Sequence, residues 1–147
     1  MIAPIAGLSA IVFAAYLAYS VLKKKNGTPK MIEISNAIKI GATAYLNRQF
    51  FVVAVFGVVL AVILGLALGL FAAFTFVVGA VLSGFSAYIG MIIAIHTNVR
   101  TAQAARRGFS EALTTSVRSG TVVGMSLTGL GLLGVSLLYF VFGNPLL

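Results

Sequence analysis

Four apolar stretches separated by basic segments set the pattern of this chain. The first runs from Ile2 to Leu22 and stops at Lys23, Lys24 and Lys25. An apolar stretch of about 20 residues crosses a bilayer as a helix, so one span is expected at about 2–22. The basic cluster follows the apolar run and none precedes it, the reverse of a cleaved signal peptide. A retained anchor with its N-terminus outside is expected. From Gln49 to Val99 there is no Asp, Glu, Lys or Arg. That is too long for one span and predicts a helical hairpin, with spans at about 50–70 and 74–96 and a tight turn near 69–74. A fourth span is expected at about 120–142, ended by Gly143, Asn144 and Pro145. The fold class is therefore all-α, a polytopic transmembrane bundle of four spans, with residues 1–147 forming one membrane region.

The intervening segments, about 23–49 and 97–119, hold the basic residues, whereas the turn between the second and third spans has none. Two spans separate the basic segments, so both fall on one side, and the positive-inside bias makes that side the cytoplasm. Both termini are then external. Thr28 followed by Pro29 predicts a helix start, a capping residue before proline at the first helical position. Ser35, Lys39, Thr43 and Asn47 form a polar row at four-residue spacing. Ile34, Ile38, Ala42 and Leu46 form an apolar row beside it, widened by Ala37, Gly41 and Tyr45. A helix entering the second span without a break is expected. It reads either as an interfacial amphipathic helix or as a docking surface for other cytoplasmic helices. The third span is expected to run on through Asn98, Arg100 and Gln103, with Arg106 and Arg107 in its last turn and Gly108 as its cap. Glu111 would open another short helical stretch. Arg100 and Arg118 carry the right charge for phosphate, but beside long apolar runs they read as orientation or headgroup contacts.

Small residues recur inside the spans. Gly65 and Gly69, and Gly120 and Gly124, are spaced for close helix approach; Gly79, Ser83 and Ala87, and Gly129, Gly131 and Gly134, extend the pattern. Ser83, Ser86 and Tyr88 could line a polar path, but hydroxyls bonding back to their own helix are the commoner arrangement. His96 falls at the cytoplasmic edge with no intramembrane partner for a proton relay.

Composition sharpens this reading. With 61% hydrophobic and 8% charged residues the chain is not a soluble globular domain. The net charge of +8 flanks apolar runs, so nucleic acid is not an expected partner. There is no cysteine, which excludes disulfides and thiolate chemistry. The only carboxylates are Glu33 and Glu111, both in basic segments, and there is a single histidine. No catalytic, cofactor-binding or metal-ligating residue is therefore assigned. A small exporter or rotor-ring subunit would need an intramembrane carboxylate for ion coupling and is disfavoured.

Three blocks carry a family resemblance. The first is Ala37 to Phe50, with Gly41-Ala42 and Tyr45-Leu46-Asn47-Arg48-Gln49 at its heart. The second joins Gly79 to Ser83 with Tyr88 to Met91 and Asn98 to Arg106. The third joins Arg118-Ser119-Gly120 and Gly124-Met125 to the glycine-rich run Gly129 to Gly134. In order and spacing they resemble the N-terminal region of membrane-bound, ion-pumping inorganic pyrophosphatases, over roughly residues 32–134. The block from Asn98 to Ala105 is the most specific. One departure stands out: the family usually has a glutamate before the Gly-Ala of the first block, where this chain has Ile40.

The resemblance implies a homodimeric, many-spanning enzyme that hydrolyses pyrophosphate at a cytoplasmic magnesium site and moves protons or sodium ions outward, some members needing potassium. Its catalytic and ion-gate residues are largely aspartates on later helices. A magnesium cage around a polyanion needs hard oxygen ligands, which a chain without aspartate does not supply. The expected role is thus the N-terminal transmembrane scaffold portion of a pyrophosphate-energised proton or sodium pump, in a prokaryotic cell membrane. Its partners would be lipid and the pump's remaining helices, and the chain alone would be inactive. Arg48, Asn98 and Arg100 belong to the matched blocks and are expected to be structural. The alternative is a free-standing four-helix scaffold or assembly subunit without catalysis.

Overall fold

The computed structural model describes residues 2–143. Four helices follow one another: α1 (Ile2–Leu22), α2 (Pro29–Leu68), α3 (Leu70–Ala105) and α4 (Phe109–Phe142). All four are long and apolar enough to cross a membrane. No strand occurs among the described residues. Asn144 and Pro145, expected to help end the fourth span, lie outside the described residues. Gly143 does act as its left-handed cap, at φ 60°, with its N–H on Tyr139 O.

The helix starts and stops follow local chemistry. Thr28 caps α2, its Oγ1 accepting from Met31 N at 3.4 Å, and Pro29 opens the first turn. The helix then runs 40 residues without a break, about 60 Å at 1.5 Å per residue. That is about twice the hydrocarbon thickness of a bilayer, so a helix that also spans cannot lie in the interface plane.

The hairpin turn is tighter than the sequence suggests. Gly69 alone separates α2 from α3, at φ 97° and ψ 164°. Its N–H closes α2 on Gly65 O at 3.1 Å, and its carbonyl accepts from Ala72 N at 3.1 Å. Residues 70–74 contain no helix breaker, so they join α3 instead of widening the turn. At the other end of α3, Arg106 is the cap and Gly108, at φ 144°, begins α4. Arg106 and Arg107 therefore lie just past the last turn, not in it. Phe109 to Ser119 holds neither glycine nor proline, so the stretch at Glu111 is continuous with the fourth span.

Consecutive helices α2, α3 and α4 pack side by side; α1 packs mainly on α4 and lightly on α3, and α2 touches α3 only. The core lies where α1, α3 and α4 meet: Ala14, Leu17, Ile93 and Val122, with Ala18, Ile89 and Met125 against them. Phe50 meets Tyr88 edge-on at 6.2 Å, tying α2 to α3, and Phe142 meets Phe71 edge-on at 4.4 Å near the hairpin turn. The membrane part of α2 is bare: Phe51, Val55, Phe56, Val59 and Ile63 all stand exposed.

The α1–α2 link turns at Gly27, with φ 89°. A Cβ there would lie 2.8 Å from Met31 Sδ and 3.0 Å from Gln103 Oε1. The backbone conformation demands glycine, whereas the Met31 and Gln103 side-chain ends could move aside. Gly27→Ala is expected to destabilise the link by about 1–2 kcal/mol. Limited trypsin digestion in detergent reads this directly, since Lys23, Lys24 and Lys25 should be cut faster than in the parent; unchanged cutting would show the link tolerates a Cβ.

Candidate functional site

The polar side chains gather at the basic end of the bundle, where α1 stops. Helix ends leave carbonyls without intrahelical partners. Those of α1 are met by Arg100 of α3. Its Nη2 donates to Leu22 O at 2.9 Å, and its Nε is shared between Lys24 O at 3.1 Å and Leu22 O at 3.2 Å. Its Nη1 donates back to His96 O, one turn earlier on α3. A cation at a helix C-terminus also meets the negative end of the helix dipole. Partial burial desolvates the guanidinium and lowers its pKa from the ordinary value, though arginine stays charged.

Two contacts to α4 complete this clasp. Lys24 Nζ donates to Thr115 Oγ1 at 2.7 Å, and Thr115 is fully buried and donates in turn to Glu111 O at 2.8 Å. Arg118 Nη1 reaches Ser20 Oγ at 3.3 Å. Further along, Gly7 faces Gly129, so α1 runs antiparallel to α4 in one register. The clasp holds α1, α3 and α4 together where α1 leaves off.

The matched-block residues separate accordingly. Arg100 bonds the backbone carbonyls of Leu22, Lys24 and His96. Arg48 and Asn98 are exposed and make no side-chain hydrogen bond among the described residues. Ile40, where the family usually has glutamate, is 73% exposed. The apolar row on α2 splits. Ala42 and Leu46 turn toward α3, whereas Ile34 and Ile38 face outward. A strict four-residue row drifts about 40° per step around a helix of 3.6 residues per turn, so its ends cannot share a face. The face actually turned to α3 runs through Met31, Ser35, Ala42, Leu46 and Phe50, and Lys39 borders a cavity beside it.

The glycine pairs also sort. Gly129 packs on Gly7 and Gly134 on Leu82, but a Cβ at Gly79, Gly120, Gly124 or Gly131 would meet nothing within 4 Å among the described residues. Gly69 is the turn itself. Gly7, which sequence spacing did not single out, is the partner that makes Gly129 matter. Ser83 and Tyr88 face outward, and only Ser86 is buried, so no polar path forms along α3. Ser86 Oγ has no partner among the described residues. Back-bonding is made by Ser9, to Ala6 O at 2.9 Å, and by several threonines, as in Thr97 to Ile93 O at 2.7 Å and Thr121 to Val117 O at 2.9 Å. The branched Cβ of threonine favours that rotamer.

The donor set does not fit magnesium. Among the described residues no three acidic, histidine or cysteine side chains come together. Glu33 pairs with Lys30 at 3.0 Å and Glu111 with Arg107 at 3.2 Å. No catalytic step is derived through a metal on these residues.

Comparison with known proteins places this arrangement. The family model described as inorganic H+ pyrophosphatase matches residues 8–146. A K(+)-insensitive pyrophosphate-energized proton pump of Methanosarcina mazei is 44% identical over 144 residues, covering 97% of this chain and 22% of the relative. A second K(+)-insensitive proton pump, of Moorella thermoacetica, is 41% identical over 97% of this chain and 21% of its own length. A putative K(+)-stimulated pyrophosphate-energized sodium pump of Bacteroides thetaiotaomicron is 35% identical over 92% of this chain and 19% of its own length. The chain thus spans about a fifth of the length of the curated relatives it matches.

Proposed function

Because the chain belongs to the inorganic H+ pyrophosphatase family, we propose that it serves as the N-terminal transmembrane scaffold of a pyrophosphate-energised proton or sodium pump. The carrying observation is the match to such pumps over 97% of this chain and only 22% of the pump. In this reading the basic end is cytoplasmic. Hydrolysis of pyrophosphate, its magnesium and any potassium requirement, and the homodimer belong to the complete protein.

Two features of the chain support a scaffold role. The clasp and the α1–α3–α4 core fix three helices without any acidic chemistry. The outer faces, by contrast, are unfinished. The apolar face of α2 is bare, and the Gly120–Gly124 face of α4 is smooth and uncovered. Close-packing small residues are of use only against another helix, since lipid offers no gain from a groove.

A chimera tests this. The chain is joined in place of the matching segment of the Methanosarcina mazei pump and assayed in vesicles. Pyrophosphate hydrolysis coupled to ion uptake is expected, while the isolated chain inserts and hydrolyses nothing. An inserted but inactive chimera, or magnesium-dependent hydrolysis by the isolated chain above a heat-killed control, would overturn the reading.

A further inference from the structure

Between α2 and α3, beside the clasp, lies a cavity of about 100 Å³. Its polar lining is Asn26, Ser35, Asn36, Lys39, His96 and Arg100. No carboxylate lines it, and both glutamates among the described residues are paired elsewhere, with Lys30 and Arg107. The Lys39 ammonium makes no ion pair or hydrogen bond among the described residues; only its backbone carbonyl is engaged, accepting from Thr43 Oγ1. Arg100 has five N–H groups. One N–H at each of its three nitrogens goes to the carbonyls named above, which leaves one on each terminal nitrogen unclaimed. The cavity is thus lined by the Lys39 and Arg100 cations and by further hydrogen-bonding groups, the chemistry that takes an anion with oxygen acceptors.

Its depth is fixed by α1. That helix has 21 residues, a length of about 31 Å, which matches the hydrocarbon core of a bilayer. With α1 upright in a bilayer, Leu22 O would stand at the membrane boundary, and Arg100 is bonded to it, which sets the Arg100 end of the cavity at the headgroups.

We propose that this cavity binds one phosphate group, that of an anionic phospholipid headgroup, between Lys39 and Arg100. Its occupation would tie α2, which otherwise touches α3 alone, to the lipid leaflet and to the clasp. The site is independent of the pump reading, since it needs only this chain and a bilayer.

The test is native mass spectrometry of the chain released from nanodiscs of phosphatidylcholine mixed with phosphatidylglycerol. Lys39→Gln and Lys25→Gln each remove one positive charge, inside and outside the cavity respectively. One phosphatidylglycerol retained per chain is expected, with apparent affinity lowered about five- to tenfold by Lys39→Gln and less than about twofold by Lys25→Gln. Circular dichroism confirms that both variants remain helical. Inorganic phosphate is titrated into the same sample. Retention of the lipid against it assigns the site to the headgroup; displacement by it assigns the same phosphate site to a free ion. Equal losses in the two variants, or no saturable binding of either lipid or phosphate, would overturn the proposal, because general attraction to the basic end does not distinguish Lys39 from Lys25.

Discussion

Arg100→Met is expected to loosen the end of α1 and to destabilise the bundle by about 1–2 kcal/mol, the loss of charge-assisted bonds to the exposed Leu22 carbonyl and the part-buried Lys24 carbonyl. The methionine stem fills similar space, so packing is largely kept while two carbonyls, of Leu22 and Lys24, lose their donor and His96 O keeps its bond within α3. Arg100→Lys should recover only part of this. An ammonium is a point charge and lacks the planar fork that reaches two carbonyls of the α1 end at once. Thermal unfolding in detergent, followed by circular dichroism, orders the three proteins as parent, lysine variant, methionine variant. The methionine variant should also show faster tryptic cleavage at Lys23 to Lys25. A methionine variant that melts with the parent would show that water or headgroups satisfy those carbonyls as well as the guanidinium does. Thr115→Val provides a second arm. It removes the acceptor of Lys24 Nζ without touching Arg100. Because both contacts hold the same few residues, the double variant should lose less than the two single losses together.

The four spans were legible because lipid imposes a long apolar run that no other solvent imposes. The ends of α1 and the start of α2 were legible for local reasons: three lysines after Leu22, and threonine before proline. Turn width was not, because an unbroken apolar run does not show where one helix stops and the next starts, and only the backbone shows that Gly69 alone suffices. The face of α2 was misread for a geometric reason: Ile34 and Leu46 sit in one row on paper but about 120° apart on a helix of 3.6 residues per turn. Arg100 could be assigned a structural role from its block, but its partner could not. The carbonyls it meets are 76 and 78 residues earlier in the chain, and backbone acceptors leave no trace in sequence. The same holds for Gly7, an unremarkable glycine until Gly129 is placed opposite it.

That crossing yields the last prediction, and its sign is the informative part. At Gly129 a Cβ would fall 2.7 Å from Ile11 Cγ1 and 2.9 Å from the backbone oxygen of Gly7. Ile11 Cγ1 is held by a χ1 that is stiff in a helix, and a helix carbonyl can move only with its helix. Gly129→Ala is thus expected to cost about 1–3 kcal/mol as an overpacked contact, and Gly129→Leu to separate α1 from α4. At Gly124, five residues earlier on the same helix, a Cβ would meet nothing within 4 Å. There the same change to alanine should stabilise the isolated chain by about 0.5–1 kcal/mol, through helix propensity alone. Thermal unfolding of the two alanine variants reads the opposite signs. The chain has no cysteine, so Ser20→Cys with Arg118→Cys supplies a single cross-linkable pair that reports whether α1 still lies on α4. Its yield should fall in Gly129→Leu and hold in Gly124→Ala. In the chimeric pump the Gly124 result should reverse if another helix packs on that face, since the new methyl would then meet a neighbour. Losses of equal size at both glycines of the isolated chain would mean that α4 is held by something other than the Gly7–Gly129 contact.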